Sequence, residues 1–239
     1  MSRSIPGPSG DSPTKISFIS ILPNLLAVSL ILAAILFVSA GRLDWLQAWL
    51  FVLGFAGFLT FYGLWSVRND QGQLNERSQV GQNTKSWDKV ILTAYTLLLI
   101  GMLILAGLDA GRFRWAPAPP VLQGLGWAGA VFAGFLVWWT ASVNTFLSRT
   151  VRIQDERGQR VIDSGPYSRV RHPMYLGVII LMISIPLLLG SLWALIPGAL
   201  IGVVFIVRTA LEDRTLQGEL AGYPEYTRRV RFRLLPWIW

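Results

Sequence analysis

Apolar positions along this chain fall into long blocks rather than into the stripes of a half-buried soluble helix. Four blocks, residues 16–40, 45–67, 90–110 and 121–147, reach the roughly 20 residues that an α-helix needs to cross a bilayer. A fifth, Met174 to Val207, runs 34 residues without a charge. At about 1.5 Å per residue it would measure roughly 51 Å as one helix, against a hydrocarbon core of about 30 Å. Pro186, Gly190 and Pro197 give it places to break. A helical hairpin turning near Leu189–Leu192 is therefore expected. The pattern predicts an all-α polytopic membrane bundle of about six transmembrane helices, the last two forming a C-terminal hairpin.

Charge placement agrees with six spans. With the N-terminus inside, 18 Lys and Arg fall on the inner segments and 3 on the outer loops. A single crossing by the fifth block would change the division to 12 and 9, a much weaker bias. Both termini are thus expected to be cytoplasmic, together with the 148–173 loop and the segment after Val207. Residues 1–15, rich in Ser, Pro and Gly, read as a disordered cytoplasmic tail. Val38-Ser39-Ala40 resembles a signal cleavage site, but the apolar run before it is longer than the usual limit of about 15 residues, so it is read as a retained span.

Composition narrows the chemistry. The chain has 239 residues, 53% apolar and 14% charged, against about a quarter charged for a soluble domain. It has no cysteine and one histidine, which argues against disulfides, thiolate metal sites and His-rich metal centres. The net charge of +8 is explained by topology and anionic headgroups, without nucleic acid. Most tryptophans near span ends read as an interfacial belt. Gly54, Gly57, Gly124, Gly126, Gly129 and Gly134 read as positions of close helix packing. The motif for a P-loop is absent, as are those for a dinucleotide fold, an acid-rich metal loop and a serine nucleophile elbow.

Two polar clusters flank the long apolar run. The first, Ser164 to Tyr175, contains the single histidine, and ionisable groups at a membrane edge usually mark function. Its Asp163-Ser164-Gly165-Pro166-Tyr167 stretch reads as a turn. Pro173 suits the first turn of a helix, with His172 and Tyr175 near one face. The second cluster, Arg208 to Asp213, puts Arg208 and Glu212 four residues apart, either as an ion pair or as an anion grip beside a group that meets a cation. The hairpin should return both clusters to one place. Further on, Tyr223 and Tyr226 lie in a basic, aromatic segment suited to headgroups.

Asn144, Gly165-Pro166-Tyr167, Arg171-His172-Pro173-Met174-Tyr175, the hairpin, Arg208 with Glu212-Asp213, and Tyr223-x-x-Tyr226 with a late Leu-Leu-Pro resemble the isoprenylcysteine carboxyl methyltransferase family. The related phospholipid methyltransferases share much of this pattern. The likeness covers residues 144–236. Asp213 stands where the family has a second glutamate, and Glu219 to Tyr223 is one residue short.

The resemblance implies an integral membrane enzyme that methylates a lipophilic acceptor with S-adenosyl-L-methionine. The short loops and plain tail suit a bacterial inner membrane, and the charge division makes the expected site face the cytoplasm. The resemblance divides the chain into the tail 1–15, transmembrane helices over 16–143 and a methyltransferase core over 144–239. By resemblance the cofactor contacts Gln154, Gln159, Arg160, Val161, Ile162, Tyr167, His172, Pro173, Met174, Tyr175 and Glu212. Arg208 and Glu212 are the catalytic pair, with Arg208 beside an acceptor carboxylate. Such a carboxylate is already ionised at pH 7 and needs no base. The implied partners are membrane lipids and a lipophilic or lipid-modified substrate entering from the bilayer, without metal. The alternatives are N-methylation of an ethanolamine headgroup and a non-enzymatic lipid-binding protein of the same fold.

Overall fold

The computed structural model describes residues 16–78 and 84–239. The expected tail 1–15 lies outside them. The helices are α1 (Phe18–Ala40), α2 (Leu46–Asn69), α3 (Gln71–Ser78), α4 (Ser86–Ala106), α5 (Pro120–Val143), α6 (Pro173–Leu189), α7 (Leu195–Glu219) and α8 (Tyr223–Arg229). Helix α4 continues as a wider π-helical segment over Gly107–Phe113. Five of these are long and apolar enough to cross a membrane: α1, α2, α4 with its extension, α5 and α7. Helix α6 is apolar but only 17 residues long, at the lower end of what spans a bilayer. Among the described residues the protein is an all-helical membrane bundle, as the apolar blocks predict.

The 34-residue apolar run does fold back. Helix α6 stops at Leu189 because Gly190 takes a left-handed backbone (φ 87°), which a residue with a side chain adopts only with strain. Helix α7 restarts at Leu195. The turn is pinned by Asp109, which is fully buried in the π-helical segment. Its carboxylate accepts from Ser191 Oγ (2.6 Å), Ala116 N (2.8 Å) and Trp193 N (3.3 Å). Three donors satisfy a charge that would otherwise be costly to bury.

Helix α7 does not end where its apolar run ends. It continues through Arg208 to Glu219, so the second polar cluster lies on the same rigid rod as the hairpin. The stretch after α2 forms a further short helix, α3, with Asp70 Oδ1 accepting from Gln73 N at 2.8 Å.

Close packing of α5 on α6 rests on two of the six singled-out glycines. A Cβ at Gly126 would stand 2.5 Å from the Leu188 backbone nitrogen, and one at Gly129 would collide with Ser184 Oγ. Gly57 and Gly124 face open space, Gly54 only grazes Trp127, and Gly134 meets Phe58 at an ordinary distance, so packing does not explain these four. Gly126→Val is expected to force the helices apart and cost about 1–3 kcal/mol. Gly124→Ala, with open space at its Cβ, should not lower the melting temperature in the same detergent. Trp45 also departs from the interfacial belt, being buried in the core with Leu36, Met102 and Leu188.

Candidate functional site

The end of the bundle away from the Asp109 turn gathers the polar clusters. The 144–172 segment packs over it with little regular structure, held by three buried carboxylates. Asp88, in the first turn of α4, receives Arg208 Nε (2.9 Å) and Nη2 (3.2 Å) and the backbone N–H of Val151 (2.9 Å). Glu76 on α3 receives Arg152 through two nitrogens (2.9 and 2.5 Å) and Ser148 Oγ (3.1 Å). Asp213 on α7 receives Arg171 Nε and Nη2 (2.8 and 2.9 Å), Arg233 Nε (2.9 Å), Tyr223 (3.0 Å) and Gln217 (2.9 Å). Paired donors on a carboxylate fix geometry as well as charge.

The C-terminal segment is stitched to the histidine loop by the backbone. Arg171 N–H donates to Phe232 O, and His172 N–H donates to Arg233 O, both at 2.9 Å. Gly165 turns the loop with φ 57°, close to Val143. Pro173 opens α6 as expected, and the His172 and Tyr175 rings lie parallel with centroids 5.7 Å apart. Tyr175 OH donates to Glu212 Oε2. The Arg208 guanidinium lies over the Tyr175 ring, 5.1 Å from its centroid.

These groups wall a cavity of about 550 Å³, within the range of small-molecule sites. Of the predicted residues, Gln154, Gln159, Arg160, Val161, Ile162, Tyr167, His172, Met174, Tyr175, Arg208 and Glu212 line it. Pro173 does not. It is buried beneath, where it sets the start of α6. Tyr223 and Tyr226 also line the cavity, with their hydroxyls committed to Asp213 and to the Tyr167 carbonyl (2.7 Å). The apolar part of the wall comes from Leu92 and Tyr95 on α4, Val178 on α6 and Phe205 on α7.

The geometry bears on the two readings of the second cluster. Arg208 and Glu212 share a helix face but are not hydrogen-bonded to each other: Asp88 holds the arginine and a phenol serves the glutamate. Sequence reasoning passed over Asp88, Glu76 and Tyr95. Asp88 had a legible signal, since an acid opening an otherwise apolar span needs a partner. Glu76 had none, because α3 is short and polar.

Burial pushes the phenols of Tyr167, Tyr223 and Tyr226 above their usual range, and the Asp213 carboxylate adds to the effect at Tyr223. They are protonated donors at neutral pH. At Glu76, burial raises the carboxyl, but hydrogen bonds from Arg152 and Ser148 more than offset it, leaving the group below its ordinary value of 4.5. A depressed folded-state value means the stabilisation is full above the unfolded value and is lost as pH falls through the folded one. Melting temperature should therefore drop as pH is lowered below about 4.5, and Glu76→Gln should flatten part of that slope.

The fold defines a polytopic membrane protein with a polar-rimmed, half-apolar cavity at one end of its C-terminal hairpin. Residues 127–218 match the isoprenylcysteine carboxyl methyltransferase (ICMT) family, a family of membrane methyltransferases, in agreement with the resemblance drawn from the sequence. The matched stretch carries the loop, the hairpin and the Arg208–Asp213 part of α7. It excludes α4 and its Asp88. No curated protein gives a significant match to the chain.

Proposed function

We propose that the protein transfers a methyl group from S-adenosyl-L-methionine to a lipophilic acceptor at the cavity between the histidine loop and α7. The observation that carries this reading is the gathering of the family-matched motifs, distant in sequence, around one cavity with a polar and an apolar side. The donor set suits the cofactor. Glu212 is a carboxylate with a phenol partner, fitted to a sulfonium or ammonium. Tyr167 and His172 offer flat surfaces, and Gln154 and Gln159 to Ile162 form a polar edge.

When bound, the cofactor supplies an electrophilic methyl group, and no covalent protein nucleophile is required. The chain aligns donor and acceptor and excludes water, which is where most of the acceleration of an in-line displacement arises. The acceptor's apolar part would lie against Leu92, Tyr95, Val178 and Phe205, reached from the bilayer. The excess of Lys and Arg on the segments at this end supports a cofactor site on the cytoplasmic side, and the short loops suit a bacterial inner membrane.

Two acceptor classes enter this reading. The family resemblance implies a carboxylate fixed by Arg208. The Asp88 pair supports the second, an acceptor that is not an anion, as in amine methylation. Calorimetric titration of the purified protein with S-adenosylmethionine tests the shared claim. Saturable one-to-one binding, weakened in a folded His172→Ala variant, is expected; no binding by the wild type defeats it.

A further inference from the structure

The acceptor class can be read from how the cavity's charges are already spent, granted the methyltransferase reading above. Three arginines on its wall, Arg152, Arg171 and Arg208, are each held through two nitrogens by a carboxylate of the protein itself: Glu76, Asp213 and Asp88. Arg149 and Arg160, which also line the cavity, are exposed to solvent. Glu212 differs from the three paired acids, because its hydrogen bond comes from the neutral Tyr175 hydroxyl. Near Glu212 the wall is therefore a neutralised Arg208–Asp88 pair plus one negative charge.

A cationic sulfonium balances that charge and leaves the reacting region neutral. A carboxylate acceptor would add an uncompensated negative charge beside Asp88, which is wholly buried. To gain the Arg208 fork it would have to displace Asp88, which also holds the Val151 N–H, while Arg208 Nη2 is further tied to the Arg149 carbonyl at 2.9 Å. Breaking a buried, hydrogen-bonded pair costs far more than a surface one. A neutral head group meets neither cost.

We infer that the acceptor is a neutral head group bearing an exchangeable proton, that Asp88 sets this preference by occupying Arg208, and that Glu212 receives the proton. The acceptor heteroatom gains the methyl carbon as the bond from that carbon to the sulfonium breaks. The electron pair stays on the cofactor's sulfur, and the acceptor's proton passes to a Glu212 oxygen and then to water. A thiol fits this description at neutral pH, with a reference pKa near 8.5, whereas a fatty acid is ionised.

The test compares 1-octanethiol with octanoate, using full-length protein in nanodiscs. Two readouts are taken: transfer of labelled methyl, and calorimetric binding of octanoate without cofactor. The wild type should methylate the thiol, leave octanoate unmethylated and bind octanoate weakly. Asp88→Asn should bind octanoate at least about tenfold more tightly, because the resident anion on Arg208 is gone. Should that variant not fold, the wild-type comparison decides alone. Methylation of octanoate in preference to the thiol, or of neither by protein that binds S-adenosylmethionine, overturns the inference. Failure to bind S-adenosylmethionine overturns instead the reading on which it rests.

Discussion

Asp213→Ala is expected to loosen the whole junction between the histidine loop, α7 and the C-terminal segment. Four side chains donate to this one fully buried carboxylate, His172 Nε2 lies 3.4 Å from it as well, and Arg171 and Arg233 among the donors are cations. Removing it leaves Arg171 buried without its counter-ion, although the guanidinium still donates to the Val230 and Arg231 carbonyls at 2.8 Å. Uncompensated burial of this kind costs about 3–5 kcal/mol. Thermal unfolding should shift accordingly, and trypsin should cut within Arg228 to Arg233 in the variant under conditions that spare the wild type. Asp213→Asn keeps one acceptor oxygen and should fall between the two. Equal melting temperatures for wild type and Asp213→Ala would show that the hub is not what joins these segments.

Glu212→Gln is the largest functional effect expected, and it should separate cleanly from stability. Glu212 is only half-buried, and its partner Tyr175 can still donate to the amide oxygen of glutamine. What is lost is the negative charge facing the cavity. Removing one partner of a partly desolvated charge pair costs about 2 kcal/mol or more, so affinity for S-adenosylmethionine should fall by roughly thirtyfold or more. Tyr175→Phe keeps the charge but not the donor and should lose less. The melting temperature of Glu212→Gln should stay close to wild type. Unchanged cofactor affinity would remove Glu212 from the site.

The bundle was legible because its evidence is periodic and redundant. Block length gave the spans, and the excess length of Met174–Val207 required the turn that Gly190 makes. Local motifs located the loop side of the cavity: Gly165 for the turn, Pro173 for the start of α6, and His172 stacked on Tyr175. What escaped was pairing across the bundle. Arg208 had a plausible partner four residues away, yet its counter-ion sits 120 positions earlier on α4. Helical spacing ranks local partners only, whereas tertiary packing decides which carboxylate arrives with its desolvation already offset. The Glu76–Arg152 pair, 76 positions apart, shows the same limit. Glycines were over-read for a similar reason: sequence marks where a close approach is possible, and only packing selected Gly126 and Gly129.

The most direct measurement is photochemical. Irradiating the purified protein with labelled S-adenosylmethionine and mapping the modified peptides reports where the cofactor sits, independently of the acceptor. Attachment within residues 154–175 or 208–226, abolished by excess unlabelled cofactor, is the predicted result. Attachment confined to the Asp109 end of the bundle, or labelling that unlabelled cofactor does not suppress, would contradict a cofactor site between the histidine loop and α7.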